Sequence, residues 1–576
     1  MYMMIGKLKI LYKKIEYYAL DLIVVMLILI AGTYHWKDMD VLAVFGDEFG
    51  YWGNAAILTG FDWKSLMAET SYYSIGYSLL ILPILLLKNY VLAYHLAIIL
   101  NILLTIGCFL CARYISARLF NNESRIKQIC SSLVSVLTVN VIVQMRVAWD
   151  EVLLCFLMWL SIVFMIKLHE SYKAAKLIIT SLMLIYMVMV HQRALPVAFL
   201  FILIMLVQYY TKADWKKIIL FLITCTVLYI IYEFIKTFQI AKIYSNSASS
   251  DVNTISGNTV KGYLQSLFDV FSVMASLGAK FIMYNVSTGF TFLAVSIIAI
   301  KNFFVKADEE IAKCNVIRYI WLSGVIMLCL TAIQSRGLGR ADMIVYTRYF
   351  DFTIGPMLLI GINYLDVKKM SCKICLLISW MVSWFSIGSI YDVIYDIGGN
   401  FNYICSPIMG GNILWFDEYM KNPIIVKSLT RKVIFGIGLL LFLYIKRKSN
   451  KLLAGITMSV LILNFILANK ASDGINSWRE HFREDSIALA AGMANSDAEI
   501  FFIEDPDNLE LLNLVRELQY VLHDRTITVI GDEQVFDITA DEYYIITIEE
   551  YNKKNFDLIV SSDVHQANLY YVRERD

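Results

Sequence analysis

Two adjacent carboxylates, Asp47 and Glu48, open the stretch "GDEFGYWGNAAILTGFDW". A second adjacent pair, Asp150 and Glu151, stands in "MRVAWDEVLLCF" close to Arg146. Bases follow at His191 and Arg193 in "HQRALP". More stand at Arg336, Arg340 and Arg348 in "QSRGLGRADMIVYTRYF", where Tyr346 and Tyr349 flank the last arginine. A carboxylate can accept the proton of an incoming hydroxyl, and a guanidinium fork matches the oxygens of a phosphate whose charge grows as it departs. Each cluster alone has a plainer explanation. An acid pair in a loop is ordinarily solvated surface, a lone histidine is ordinarily a hydrogen-bonded structural residue, and one arginine at a helix end is a snorkelling anchor. Arginines recurring at helix ends in separate segments, with acids nearby, argue instead for an anion site.

The elements that must position these residues are apolar. The chain has 576 residues, 59% of them hydrophobic, with six prolines, which is the composition of a polytopic membrane protein. At roughly 20 apolar residues per crossing, the runs predict about 13 transmembrane helices. These are 17–34, 90–111, 129–147, 152–167, 177–192, 195–211, 218–236, 283–300, 317–333, 350–366, 374–393, 432–446 and 452–468. The shorter run 74–87, with Pro83, reads as a re-entrant or interfacial helix within an outer loop, 35–89. Short basic segments such as "ARYISARLFNNESRIKQ" and "KRKSNK" then fall on the cytoplasmic side with the N-terminus. Both acid pairs, the arginine set and the C-terminal tail fall outside. The stretch that the first pair opens predicts a helix in the interface, with Asp47 capping its start, Gly60 ending it, and Phe49, Trp52, Ala56 and Leu58 along one side.

A formal net charge of +1 conceals a division near position 470. Residues 471–576 hold 23 acids and 8 bases, which leaves 26 acids and 42 bases in residues 1–470. We therefore read 1–470 as a transmembrane catalytic domain and 471–576 as a soluble extracytoplasmic α/β domain. In the tail, the helical run "NLELLNLVRELQYVLH" lies among the β-type runs "EIFFIED", "TITVIG", "YYIITI" and "DLIVSS". The tail has no glycine-rich phosphate loop, so neither a nucleotide nor a nucleic acid is an expected partner. The pairs Cys108/Cys111 and Cys372/Cys375 lie in apolar runs without a companion histidine, which is not a redox or zinc pattern.

Acids and arginines gathered at the outer face suit a donor whose lipid tail stays in the bilayer while a phosphosugar head reaches the interface. At this point the layout resembles a known family, the integral-membrane GT-C glycosyltransferases, in the branch of the bacterial aminoarabinose transferase and protein O-mannosyltransferase-like enzymes. The resemblance runs through "GDEFGYWGNA", "YYSIGYSLLILP", "WDEVLL", "HQR", an "RYF" segment opening a late span, and an external α/β tail. It departs from the family pattern at "YYSIGYS", where paired prolines are common.

The resemblance implies transfer of a sugar from a polyprenyl-phosphate-linked donor to an extracytoplasmic glycan, cell-wall polymer or lipid, by a multi-pass protein of the cell membrane. It implies Asp47 as the acid that activates the acceptor, with Glu48 its neighbour, and Glu151 or Asp150 as the second outer-loop acid. It further implies Arg193, with Arg348 and Tyr349, near the donor phosphate; His191, Arg336 and Arg340 join this set by position. Metal dependence varies in the family, so Asp47, Glu48 and Glu151 could supply oxygens to magnesium or manganese. Two other readings stay open: a transporter or lipid-linked-sugar flippase, and a scaffold whose tail binds wall polymers. Transport would place polar residues near the midplane, whereas the charges here gather at one face.

Overall fold

The computed structural model describes residues 2–43, 45–120, 124–171, 173–244, 269–303, 311–334, 345–364, 370–397, 423–446, 449–505, 508–551, 555–562 and 564–573. Among these, eight helices are long and apolar enough to cross a bilayer. They are Tyr90–Leu119, Glu151–Glu170, Gln192–Thr211, Trp215–Ile243, Val270–Ser287, Ile311–Gln334, Lys373–Ile390 and Asn450–Gly492. The apolar helices Tyr18–Thr33, Ile75–Leu85, Ala174–Val190 and Phe292–Lys301 are shorter. Leu103, Phe199 and Phe234 stand exposed on the outer faces of the bundle, where lipid rather than water suits them. The chain is an all-α polytopic membrane protein carrying a small C-terminal α/β unit.

Two of the expected spans are broken. The run 129–147 is not one helix but two, Arg125–Val136 and Val139–Gln144, with Leu137 outside helical geometry and Thr138 extended between them. The run 283–300 joins the end of Val270–Ser287 to Phe292–Phe303. There the Phe290 N–H reaches the Asn285 carbonyl at 2.8 Å and the Gly289 N–H reaches Val286 at 2.9 Å, with Gly289 at φ +59°. This is a Schellman stop, and it ends the helix inside a continuous apolar run.

Residues 35–89 fold as three helices, Phe45–Thr59, Lys64–Ala68 and Ile75–Leu85. The first ends as its sequence predicts: Gly60 takes φ +99°, and the Phe61 N–H bonds the Ala56 carbonyl at 3.0 Å. Its start corrects the expectation. Asp47 is the third helical residue rather than the cap, which frees its carboxylate for long-range partners. Phe49, Trp52 and Ala56 are fully buried, while Leu58 is exposed. Gly50 is required by its neighbour, because a Cβ there would fall 2.0 Å from the Tyr73 ring. Gly76 similarly lets Ile75–Leu85 cross the end of Ala174–Val190, where a Cβ would meet the Met189 and Val190 backbone at 2.7 Å.

The helix Asn450–Gly492 runs unbroken through position 470, where the charge balance changes. Beyond it the tail forms a five-stranded sheet of β1 (Glu499–Ile503), β2 (Ile527–Ile530), β3 (Glu542–Thr547), β4 (Phe556–Ser561) and β5 (Asn568–Arg573), in the order β2-β1-β3-β5-β4. β1 pairs in parallel with β2 and β3, whereas β5 pairs antiparallel with β3 and β4. The sequence reading lacks β5, whose "NLYYVR" is almost wholly buried and so shows little of the alternation that marks a half-exposed strand. Helix Leu509–Leu522 connects β1 to β2 and packs on the long helix. Between tail and loop, the indole of Trp63 donates to the His523 carbonyl at 3.0 Å, and the Tyr520 hydroxyl donates to the Tyr90 carbonyl at 2.9 Å.

Candidate active site

Four of the expected residues converge from four segments. Asp47 and Glu151 both pair with Arg348, through its Nη1 and Nε respectively, and Glu151 also pairs with Arg193 through Nη2. Glu151 thus bridges two guanidinium groups, while Arg348 bridges two carboxylates. Trp149 lies under the Arg348 guanidinium at 4.0 Å from its ring centre, and Tyr349 lies 5.6 Å from that of Arg193. These faces hold the planar forks in place by cation–π attraction.

The two acids differ in what can reach them. The Asp47 side chain is 24% exposed and that of Glu151 is 1%. Asp47 also accepts from the Tyr73 hydroxyl at 2.7 Å. Tyr73 is held in turn by its backbone: its carbonyl accepts from Asn54 and Gln239, each at 2.9 Å, and its N–H donates to the Tyr244 hydroxyl at 3.2 Å. Burial pushes the Asp47 carboxyl up, but Arg348 and the Tyr73 hydroxyl outweigh it and hold the group below the ordinary carboxylate value. Asp47 is therefore a carboxylate held in its charged form by a guanidinium.

Asp150 sits beside this cluster with both carboxylate oxygens buried and no hydrogen-bond partner among the described residues, though the Tyr51 hydroxyl is near enough to favour its charged form. Burial first, and then the charge of Glu151, push its carboxyl up to about 7. Asp351, which the sequence reading missed, adds another buried acid that accepts from Gln144 at 3.3 Å. On the basic side, Nε and Nη1 of Arg193 are buried without a partner among the described residues. An unpartnered buried guanidinium N–H is costly, and an anion would remove the cost.

Other expected members point elsewhere. Glu48 accepts from the Ala43 N–H at 2.5 Å, the Ala148 N–H at 2.8 Å and the Tyr94 hydroxyl at 2.6 Å. Tyr94 receives Arg479, from the long helix, at 2.5 Å, and Arg479 also reaches the carbonyls of Val41 and Arg146. Glu48 therefore ties the approach to Asp47 to the approach to Glu151. His191 Nδ1 faces the Arg193 N–H at 3.2 Å, shaping the turn between two helices. Arg146 turns away from the acids to the Ala31 carbonyl, Ser472 and Asn469. Arg336 and Arg340 lie outside the described residues.

Among the described residues no three His, Cys, Asp or Glu side chains are grouped to hold a metal ion. Asp47 and Glu151 are engaged by arginine and Glu48 by N–H and O–H donors, so these carboxylates do not form a cation cage. An apolar cavity of about 150 Å³ lies in the adjoining bundle, lined by Val139, Val286, Leu358, Leu441 and Ile456. Asn140 and Ile354 also line it, the latter within one helical turn of Asp351.

No family model matches the chain, and no curated protein matches it. Solved structures do. ArnT from Cupriavidus metallidurans in the apo state aligns with a TM-score of 0.55 at 12% identity, over 96% of this chain and 97% of that one. The same enzyme bound to undecaprenyl phosphate aligns with a TM-score of 0.56 at 11% identity, over 96% and 98%. The chain has the GT-C fold. Within the GT-C fold, the correspondence extends through the bundle and the tail together, since it covers nearly the whole of both chains.

Proposed function

We propose that the protein is a glycosyltransferase that moves a sugar from a polyprenyl-phosphate-linked donor to an acceptor hydroxyl at the non-cytoplasmic face of the membrane. The observation that carries this reading is the shared guanidinium: Arg348 is paired with the more accessible acid, Asp47, while Arg193 beside it keeps two N–H donors free. Undecaprenyl phosphate, bound in the ArnT structure of the same fold, supports a lipid phosphate as the donor's leaving group. The apolar cavity, lined in part by Ile354 and Leu358 of the helix that Asp351 opens, suits isoprenyl units of such a lipid. Basic short loops at the opposite helix ends support an extracytoplasmic site.

Phosphate oxygens compete with Asp47 for Arg348 and take up the spare donors of Arg193. Asp47, released from its guanidinium and still steadied by Tyr73, accepts the acceptor's hydroxyl proton. The acceptor oxygen then forms its bond to the anomeric carbon as the bond from that carbon to the phosphate oxygen breaks, and the electron pair leaves on the lipid phosphate against the two arginines. Glu48 holds the two acid-bearing segments at a fixed separation. The deciding experiment follows a labelled polyprenyl-phosphate sugar with purified protein in lipid nanodiscs. Donor consumption should depend on Asp47, and an Asp47→Asn variant as active as wild type would overturn the assignment. Movement of the lipid-linked sugar across vesicles without its consumption would favour a flippase.

A further inference from the structure

A second cavity, about 440 Å³, opens where helix Lys64–Ala68 faces β2 and the carboxyl end of β1. Its size is that of a small-ligand site, which typically spans roughly 300–1,000 Å³. Asp62, Lys64, Glu69, Lys242, Glu504 and Thr528 carry its chemistry. The walls are bonded to one another. The Val529 N–H donates to Ser65 Oγ at 2.7 Å, and Arg516 of the tail helix donates to the Glu69 carbonyl at 2.7 Å. In open α/β sheets, ligands settle outside the carboxyl ends of the strands, and Glu504 and Gly531 of the lining directly follow the carboxyl ends of β1 and β2.

One wall of the cleft is joined along the chain to the candidate active site. Glu69 precedes Tyr73 by four residues, at most about 14 Å of chain, and Tyr73 donates to Asp47 Oδ1 while Arg348 holds Oδ2. Asp47 therefore has a guanidinium side, suited to a phosphate, and a phenol side linked to the cleft wall.

The lining selects among ligand classes. Carboxyl, ammonium and hydroxyl groups interleave, no aromatic ring among the described residues lines the cavity, and its apolar contributors are Ala68, Ile243, Val529 and Ile530. An acyl chain finds no continuous apolar wall. Three carboxyls against two lysines disfavour a polyanion. A sugar ring, whose hydroxyls donate to carboxylates and accept from lysine and threonine, meets a partner on each side. Burial, and then the charge of Glu504, push the Glu69 carboxyl above its ordinary value.

We propose that this cleft is the acceptor subsite, taking a hydroxyl-rich, non-anionic glycan and directing one of its hydroxyls toward Asp47. The proposal rests on the transferase reading above. Its test uses the full chain in nanodiscs, a labelled polyprenyl-phosphate sugar, and the mixed envelope glycans of the host as acceptor. Glu504→Gln, Lys242→Ala and the cleft-filling Thr528→Trp should raise the acceptor KM at least tenfold while holding the donor KM within twofold. Asp557→Asn, exposed on β4, should change neither. If Thr528→Trp lowers the melting temperature, the isosteric Glu504→Gln decides. Unchanged acceptor KM in correctly folded Glu504→Gln and Lys242→Ala variants would overturn the proposal. Failure of the transferase reading would show differently, as the absence of any Asp47-dependent donor consumption by the wild-type protein, with or without glycan.

Discussion

Asp47 and Glu48 are chemically alike and adjacent, yet their surroundings give them different work. Asp47→Asn keeps the shape of the cluster and removes the base, so kcat should fall by about 10²–10⁴ with undecaprenyl phosphate affinity held within a few-fold. Arg193→Ala should act in the opposite sense. Loss of charge-assisted hydrogen bonds worth about 1.5–3 kcal/mol predicts 10- to 100-fold weaker lipid phosphate binding, measurable by titration in nanodiscs. Arg348 also sets the protonation of Asp47. With this guanidinium removed, burial is opposed only by the Tyr73 hydroxyl and the charge of Arg193, so the acid limb of kcat/KM in Arg348→Gln should move to higher pH. Asp150 carries a stability signature. Its folded pKa of about 7 exceeds the ordinary value, so the folded state binds more protons than the unfolded one between about pH 4 and 7. Stability therefore falls as pH rises through that window, by at most about 4 kcal/mol for a shift of this size. Asp150→Asn should flatten the decline in melting temperature, and an unaltered decline would assign the slope to another group.

Among the elements, helix Phe45–Thr59 shows what the sequence could and could not disclose. Its extent, its glycine stop and its burial follow from "GDEFGYWGNAAILTG". The partner that demands Gly50 does not, because Tyr73 lies beyond a further helix. Gly50→Ala should cost about 1–3 kcal/mol by overpacking and disturb the Tyr73–Asp47 bond, so its melting temperature and its kcat should fall together. The breaks in runs 129–147 and 283–300 were hidden for a different reason. Hydropathy reports burial in lipid or protein, and composition stays apolar across a helix stop. Asp351 escaped notice because one acid after "RYF" has no spacing signal, whereas doubled acids and recurring arginines do.

At the scale of the whole molecule, the tail and the membrane unit meet at buried polar contacts: Arg479 to Tyr94 and Val41, Arg516 to Glu69, and Trp63 to His523. The charge step near 470 was legible from composition, but this interlocking was not, since the contacts join residues several hundred positions apart. The interlock predicts that removing residues 471–576 leaves Glu48 and Tyr94 without Arg479. The shortened protein should therefore lose lipid phosphate affinity as well as transfer, which a freely hung tail would not require.

The 43-residue helix Asn450–Gly492 has a mechanical consequence. At 1.5 Å per residue it measures about 65 Å, roughly twice the hydrocarbon thickness, and so acts as a mast that fixes both the height and the heading of the sheet. Each inserted residue turns everything beyond it by about 100°, which would swing Arg479 off its partners if placed before that position. Seven inserted residues would nearly restore the heading but lift the sheet about 10 Å, so the two insertions separate azimuth from altitude.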